Sequence, residues 1–285
     1  MRVVVTGAAG QVGKELCELL VDDDRYEHTA LTRSDLDITD ADAVHMAIAQ
    51  LQPDLVINCA AQVDVDYCEL NPLDAHKINV DGVKYLAQAC HRTKAHLTTI
   101  STDYVFDGKK QTPYLETDPT GPLSEYGTSK LLSEAAALDS HDQVTIIRTS
   151  LVCGKHGSNA VKTMVTQLQS DPELRYVTDQ VACLTAAADL AQAILQLSKA
   201  RLTGLFHVSN QGALSRFELA QAVASSLGEN VNQIQPILTA DIDPPRPAQR
   251  PEYSVLDNAA LCAAGLNIPR HYSEALSDLL AELVA

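Results

Sequence analysis

A glycine-rich turn near the N-terminus constrains the fold of this 285-residue chain more than any other feature. The apolar run Val3–Thr6 reads as a buried strand, and Gly7, Gly10 and Gly13 follow it at intervals of three residues. These glycines allow a tight turn, and the helix predicted over Val12–Val21 points its unpaired N–H groups at that turn. A strand, a glycine turn and a helix in this order predict a binding site for the pyrophosphate of a dinucleotide.

Strand and helix signals alternate along the first half of the chain. The short apolar segments that read as strands are Val3–Thr6, His28–Leu31, Leu55–Asn58, Leu97–Ser101, Val144–Arg148 and Leu205–Val208. The helical patterns are Val12–Val21, Asp40–Leu51, Leu73–Thr93, Ser124–Ala137, Ala186–Leu197, Phe217–Leu227 and Ala275–Val284. This alternation predicts an α/β fold in which helices cover both faces of a doubly wound parallel sheet.

The alternation weakens after Gly154, which predicts a second domain. We assign residues 1–154 and about 187–209 to a dinucleotide-binding Rossmann domain. A smaller C-terminal substrate-binding domain takes about 155–186 and 210–285. Within it, Asp241–Pro251 carries four prolines and is expected to form an ordered loop or a flexible flap, because proline lacks the backbone donor that helices and central strands need.

Composition excludes several classes of partner and site. The formal net charge of −16 argues against a nucleic-acid partner, because phosphate binding needs clustered basic residues. No apolar run reaches the roughly 18 residues of a membrane span, and no basic leader or cleavage site is present, so we expect a cytoplasmic protein. The seven cysteines are scattered without zinc-ligand spacing, so no metal site is predicted.

The residues after the second predicted strand bear on the choice of nicotinamide cofactor. An acidic side chain there would hold the ribose 2′-hydroxyl of NADH, whereas an arginine would attract the 2′-phosphate of NADPH. Arg33 occupies this neighbourhood, and Asp35 follows two residues later. The sequence favours NADPH over NADH; the alternative is that Arg33 is merely solvated.

A tyrosine and a lysine four residues apart, Tyr126 and Lys130, predict a proton relay on one face of a helix. A cation about 4 Å from the phenol, at an effective dielectric constant of about 20, is worth roughly 4 kcal/mol. This corresponds to about three pKa units, so we expect Lys130 to bring the pKa of Tyr126 from about 10 towards neutrality.

Three polar residues follow the predicted strand Leu97–Ser101 and complete the relay. Thr102, Asp103 and Tyr104 emerge at the carboxyl edge of the sheet, where open α/β folds bind ligands. We expect Thr102 to hydrogen-bond a substrate carbonyl, with Asp103 and Tyr104 contacting the rest of the substrate.

The segment Ser101–Gly108, which reads Ser-Thr-Asp-Tyr-Val-Phe-Asp-Gly, and the later Tyr-Gly-x-Ser-Lys helix resemble the dTDP-4-dehydrorhamnose reductase family of extended short-chain dehydrogenases. Further matching segments are Leu36–Asp40, Asn58–Ala61 with Val65, Asp66 and Glu69, Arg148–Ser150, Asp179–Gln180, and Arg250–Leu256. The resemblance implies reduction of a 4-keto group on a nucleotide-linked deoxysugar by NADPH or NADH.

The resemblance also implies residue roles. Tyr126 would donate the proton, Lys130 would lower the tyrosine pKa and bind the nicotinamide ribose, and Thr102 would orient the ketone. The implied cofactor-binding positions are Gly7, Gly10, Gln11, Val12, Arg33, Asp37, Ile38, Cys59, Ala60 and Ala61, with Tyr126 and Lys130. The implied substrate positions are Val65, Asp103, Tyr104, Leu151 and Arg250. Arg250 would clamp the phosphates; as an alternative, Arg246 does so and Arg250 is a surface residue.

Three departures from the family pattern fall at expected substrate contacts. Leu151 stands where the family usually has an aromatic residue, Ala182–Thr185 replaces Gly-x-Pro-Thr, and Gln62 replaces a common aromatic, with Asp64 close behind. The loss of an aromatic surface under a sugar costs on the order of 1 kcal/mol, so we expect an altered sugar pocket.

Two other functions are compatible with these residues. One is a reductase or epimerase of a different nucleotide sugar. The other is a non-catalytic NADP-binding regulatory subunit that resembles the methionine adenosyltransferase β subunit. The expected partners are the nucleotide sugar and, as the assembly, a second copy of the chain in a homodimer.

Overall fold

The computed structural model describes residues 1–171 and 173–284. The strands are β1 (Arg2–Thr6), β2 (Glu27–Leu31), β3 (Leu55–Asn58), β4 (His96–Thr102), β5 (Val144–Thr149), β6 (Val152–Cys153), β7 (Leu174–Val177), β8 (Val181–Ala182), β9 (Thr185–Ala186), β10 (Gly204–His207), β11 (Leu214–Ser215) and β12 (Ile234–Ile237). The α-helices are α1 (Gln11–Val21), α2 (Ala41–Leu51), α3 (Val65–Leu70), α4 (Pro72–His76), α5 (Gly82–Thr93), α6 (Glu125–Ser140), α7 (Ala160–Ser170), α8 (Ala187–Lys199), α9 (Arg216–Leu227), α10 (Ala259–Ala263) and α11 (Tyr272–Val284).

Six strands form one parallel sheet in the order β2-β1-β3-β4-β5-β10. They are the six strands predicted from the sequence, with ends that differ by one residue at most. The strand order reverses between β1 and β3, which is where open sheets of this type bind ligands at their carboxyl edge. The prediction of a doubly wound parallel sheet is confirmed.

Alternate side chains of each strand enter two different cores. Val3 and Val5 of β1 face α1 and α8, whereas Val4 faces the core beneath α2 and α5. Every residue of β3 and β5 is buried, which explains why these strands read as continuous apolar or mixed runs without a polar face. The sheet is therefore a rigid layer on which the loops at its carboxyl edge are positioned.

The predicted helix Leu73–Thr93 is not a regular α-helix. A π-helical turn, Lys77–Asp81, joins α4 to α5 and contains the fully buried Asn79. The Asn79 side chain accepts a hydrogen bond from the Gln62 N–H (2.8 Å) and donates to the Gln62 carbonyl (3.1 Å) and to Ser129 Oγ (2.9 Å). Turns of this kind are frequent at functional sites, and this one ties the loop after β3 to helix α6.

The C-terminal part has a third core, formed by α7, α9 and α11 with β7 and β12. Helix α7 was not predicted, although Val161, Met164 and Leu168 are buried at helical spacing. The proline-rich stretch Asp241–Pro251 is an ordered loop, held in place where the Ala248 N–H donates to an Asp66 carboxylate oxygen (3.1 Å). In the described ranges, none of the helices has the length and apolar character needed to cross a membrane.

Candidate active site

The turn after β1 has the shape that the glycine spacing predicts. Gly7 has a φ of 67°, and a Cβ added to it would lie 2.5 Å from the Ala60 nitrogen. A Cβ on Gly13 would lie 2.4 Å from the Gly7 carbonyl oxygen. Gly10, the N-cap of α1, supplies no side-chain hydrogen bond, so the first N–H groups of α1 face the turn without a side-chain cap. These donors and the helix dipole favour an anionic ligand.

A cavity of about 270 Å³ adjoins this turn. It collects residues from the ends of β1, β2 and β3, and they are Gly7, Ala9, Gly10, Arg33, Leu36–Thr39, Cys59–Gln62 and Ile78. Eight of the twelve cofactor positions that the resemblance implies line this cavity. The other four, Gln11, Val12, Tyr126 and Lys130, line the neighbouring pocket. The glycine cradle, the uncapped helix start and this cleft suit a nicotinamide dinucleotide.

Arg33 lies on the wall of this cavity and is exposed. The carboxylate of Asp35 instead accepts hydrogen bonds from the Thr32 N–H (2.9 Å) and hydroxyl (2.6 Å). Those bonds hold the pKa of Asp35 below its usual value. The Asp35 carboxylate is therefore occupied by hydrogen bonds within its own turn, whereas the Arg33 guanidinium is free to bind a phosphate in the cavity.

A second pocket, of about 410 Å³, lies at the carboxyl ends of β4 and β5 and opens beside the glycine turn. The predicted catalytic residues Thr102, Tyr126 and Lys130 line it together. Other residues on its wall are Gly10–Gly13, Val65, Ile100, Ser101, Asp103, Tyr104, Leu151 and Arg216. The structure thus brings residues from four separate segments to one pocket.

The pKa of Tyr126 moves in the direction opposite to the expectation. Burial of the phenol is the main cause and raises its pKa above the usual value of 10, while the nearby Thr102 hydroxyl opposes the rise. The Lys130 ammonium is buried too and donates to the Ile100 carbonyl oxygen (2.6 Å). Its own pKa falls to about 8 because burial disfavours the charged form. The predicted fall in the pKa of Tyr126 is wrong, because the desolvation of the buried phenol outweighs any attraction to Lys130.

Asp103 is buried and hydrogen-bonded directly to Thr102, the threonine predicted to be catalytic. Its carboxylate accepts hydrogen bonds from the hydroxyls of Thr102 (3.0 Å), Ser150 (2.7 Å) and Ser254 (2.5 Å). Burial raises the pKa of Asp103, and the three hydroxyls oppose that rise. This network joins the end of β4 to the end of β5 and to the C-terminal loop. It fixes Thr102 beside Tyr126.

A buried ion pair supports the helix that carries Tyr126 and Lys130. Arg148 of β5 contacts Glu134 of α6 through two hydrogen bonds, Nε to Oε1 (2.9 Å) and Nη2 to Oε2 (2.7 Å). Both side chains are less than a tenth exposed, and Ser101 also donates to Glu134. The Arg148 guanidinium lies 5.2 Å from the Phe106 ring centroid. Glu134 follows Lys130 by one helical turn, and this spacing was visible in the sequence.

A larger cavity, of about 600 Å³, lies between the pocket of Thr102, Tyr126 and Lys130, called the catalytic pocket below, and the C-terminal part. Tyr104, Leu151 and Arg216 line both spaces and mark the passage between them. The cavity wall also includes Met164, Gln167, Arg175, Tyr176, Gln180, Asp241, Asp243 and Arg246. A ligand with a sugar at the catalytic pocket and a nucleotide in this cavity would pass between these three residues.

Arg250, the expected phosphate clamp, does not line this cavity. It donates two hydrogen bonds to the Asp66 carboxylate (2.8 and 2.7 Å) and one to the Ala248 carbonyl (2.7 Å). Its side chain is 8% exposed, so the alternative of a surface Arg250 does not hold either. Arg246, the other arginine considered for this role, lines the cavity.

Of the three departures from the family pattern, only Leu151 lines the catalytic pocket. It has a φ of 37° at the bend from β5 into β6, a backbone conformation that costs about 1–3 kcal/mol for a residue other than glycine and clusters at active sites. Gln62 lines the dinucleotide cavity instead. Residues 182–185 are buried in short strands and packing contacts. Their expected contact with substrate is therefore not seen.

The whole chain matches one known protein family. A family model described as the RmlD substrate binding domain matches residues 1–285. The chain belongs to the RmlD family. Spore coat polysaccharide biosynthesis protein SpsK of Bacillus subtilis (strain 168) is 42% identical over 281 residues, which are 99% of this chain and 97% of that protein. The dTDP-4-dehydrorhamnose reductase of Aggregatibacter actinomycetemcomitans is 38% identical, with 98% of each chain covered.

Solved RmlD-family structures share the whole architecture. The dTDP-4-dehydrorhamnose reductase of Bacillus anthracis str. Ames, solved in complex with NADP, superposes with a TM-score of 0.95 at 35% identity, and the match covers 99% of both chains. The family resemblance read from the sequence is confirmed. This RmlD-family chain is an NAD(P)H-dependent oxidoreductase with the extended short-chain dehydrogenase fold.

Proposed function

We propose that the protein reduces the 4-keto group of a dTDP-linked 6-deoxysugar with NADPH, with dTDP-4-dehydrorhamnose as the first substrate to test. The observation that carries this proposal is the convergence of Thr102, Tyr126 and Lys130 on one pocket between the glycine turn and the large cavity. The relatives that match nearly the full chain support the same chemistry. The six-stranded sheet serves the cofactor, and the C-terminal core serves the sugar nucleotide.

NADPH, when bound, supplies the hydride that adds to the carbonyl carbon. The chain's own residues act on the carbonyl oxygen. The Thr102 hydroxyl, whose one proton goes to Asp103 in this structure, would turn to the carbonyl oxygen and orient it. Tyr126 transfers its phenolic proton to that oxygen, so that the ketone becomes an alcohol. Because burial raises the pKa of Tyr126, the phenol stays protonated at neutral pH and is ready to act as the acid. Lys130 lies on the same helix face and holds the cofactor ribose.

The decisive experiment incubates the purified protein with NADPH and a panel of nucleotide-linked 4-keto-deoxysugars. We expect loss of NADPH absorbance together with a new sugar nucleotide whose C4 carries a hydroxyl, identified by NMR. Turnover of a UDP- or GDP-linked sugar but not of a dTDP-linked sugar would point to the other nucleotide-sugar reductase. Tight NADPH binding without turnover of any member would favour the regulatory-subunit alternative.

Replacement of Gly7 by alanine tests the cofactor turn. The new Cβ meets both a left-handed backbone and the Ala60 nitrogen, so we expect a loss of about 2–4 kcal/mol in the free energy of unfolding. The dissociation constant for NADPH, measured by fluorescence, should rise about tenfold or more. Gly228→Ala is the matched control, since Gly228 has a φ of 71° but no atom within 4 Å of the added Cβ. Equal effects at the two glycines would contradict a role for the Gly7 contact.

The pH dependence of kcat/KM for NADPH tests the role of Lys130. This quantity reports groups of the free enzyme, in which the pKa of Lys130 is about 8. Lysine is charged below its pKa and neutral above it, so we expect kcat/KM to fall as the pH rises through about 8. The limb cannot belong to Tyr126, whose pKa is raised above 10. Lys130→Met should have a low kcat/KM at every pH and should not show this alkaline fall. A fall near pH 8 that persists in the variant would refute the assignment to Lys130.

A further inference from the structure

Arg216 and Arg246 are two of the arginines that line the large cavity. Within residues 1–171 and 173–284, neither Arg216 nor Arg246 has an ion-pair partner within 4 Å. The cavity's third arginine, Arg175, contacts Glu173 (3.2 Å) and is largely exposed. Arg250 is paired with Asp66. Two arginines without an ion-pair contact among the described residues, in one cavity of a chain with a net charge of −16, indicate a place for an anion.

Local structure explains why Arg216 stays unpaired. It is the first residue of α9, directly after the N-cap Ser215, and the nearest acid in sequence is Glu218. The Glu218 carboxylate turns back to accept hydrogen bonds from the Ser215 N–H (2.7 Å) and hydroxyl (2.9 Å) in a capping box. Glu218 also lies two residues from Arg216, on a different face of α9, so the acid nearest in sequence does not pair with Arg216. The sequence pattern Ser-x-x-Glu shows this cap but not the cavity beyond it.

The position of Arg216 also differs from that of Arg246. Arg216 lines both the catalytic pocket and the large cavity, and its guanidinium lies against the Tyr104 phenol. Arg246 lines only the large cavity of the two, on the proline-rich loop. Two acids share that cavity wall: Asp241, whose carboxylate accepts the Leu238 N–H (2.9 Å), and Asp243. A sugar nucleotide with its sugar at Tyr126 would place the phosphate nearest the sugar beside Arg216.

We propose that Arg216 is the substrate-binding residue that holds the β-phosphate, the phosphate joined to the sugar, and so sets how far the sugar enters the catalytic pocket. Arg246 holds the diphosphate from the opposite side. This inference rests on the proposed function, because it takes a sugar diphosphate as the substrate. It replaces Arg250 as the phosphate contact and assigns Arg250 to the packing of the loop against α3.

The test compares dTDP with dTMP, which lacks the β-phosphate, by calorimetry in the NADPH-loaded protein. In Arg216→Gln we expect the dissociation constant for dTDP to rise about 10- to 100-fold, the range for one lost charged hydrogen-bonding group, and that for dTMP to change less than about threefold. Arg246→Gln should weaken both ligands. Arg216→Lys should recover part of the loss, since it restores the charge without the two-pronged donor.

Arg92→Gln, on the exposed side of α5, is the control for the removal of one positive charge and should leave both dissociation constants unchanged. Unchanged melting temperature and NADPH affinity in Arg216→Gln would show that the variant is folded. A loss of dTDP and dTMP affinity by the same factor, or no loss of either, would overturn the assignment of Arg216. Absence of dTDP binding and of turnover in the unmodified protein would instead overturn the proposed function.

Discussion

Tyr126→Phe should lower kcat for ketone reduction by about 10²- to 10⁴-fold, the range for the loss of a positioned general acid. The substitution removes one oxygen from a phenol whose ring packs edge-on against Tyr104, with 5.8 Å between ring centroids. The ring contact survives, so the pocket keeps its shape. The proton that neutralises the forming alkoxide would then have to come from water, which the buried pocket does not position.

The measurement is single-turnover reduction in the presence of saturating NADPH, with the NADPH dissociation constant determined separately. We expect that constant to change less than about threefold, since a threefold change is only about 0.6 kcal/mol. Tyr85→Phe on the outer helix α5 is the matched control and should behave as the unmodified protein. A rate within tenfold of the unmodified protein would show that Tyr126 is not the proton donor.

Glu134→Gln is expected to lower the free energy of unfolding by about 3–5 kcal/mol, the largest stability effect that we predict. The substitution leaves the Arg148 guanidinium, 5% exposed, without its counter-charge. It also removes a negative charge that supports the Lys130 ammonium, so the pKa of Lys130 should fall further below about 8. In the variant, the alkaline limb of the pH profile should therefore move to lower pH.

Two control variants separate the buried charge from other effects in urea unfolding. Glu173→Gln removes one partner of the exposed pair with Arg175, and a change within about 1 kcal/mol is expected. The double substitution Glu134→Leu with Arg148→Met removes both charges and should recover much of the lost stability, since apolar replacements of buried pairs are often neutral. If the single and double variants are equally unstable, the loss comes from packing and not from the unpaired arginine.

Local patterns in the chain were enough to predict the sheet and to select the residues that we propose as catalytic. Apolar runs of the right length identified all six strands of the parallel sheet, and parallel strands place their carboxyl ends at one edge. The glycine spacing after Thr6 and the four-residue spacing of Tyr126 and Lys130 are likewise local, because each depends on backbone geometry within a few residues. The fold then brings the glycine turn, Tyr126 and Lys130 to the same carboxyl edge of the sheet.

The contacts of the arginines could not be read from the sequence, because charge pairing depends on residues far apart in the chain. Arg250 pairs with Asp66, 184 positions away in the chain. Arg216 has no ion-pair partner within 4 Å among the described residues, although Glu218 lies only two positions away. The π-helical turn at Asn79 and the anchoring of Asp103 by Ser254 have the same long-range origin.

The direction of the Tyr126 pKa shift shows most directly what the sequence determines and what only the folded structure determines. Sequence spacing predicts that the phenol and the ammonium are neighbours on one helix face, and they do share a pocket. Whether the pKa of Tyr126 rises or falls depends on how much water both groups lose, which is a property of the folded pocket and not of the spacing. Periodicity along the chain thus determined the scaffold and pointed to the residues that we propose as the reacting groups. Burial and long-range pairing decided the directions of their pKa shifts and which arginines of the described chain are left without an ion-pair partner in the large cavity.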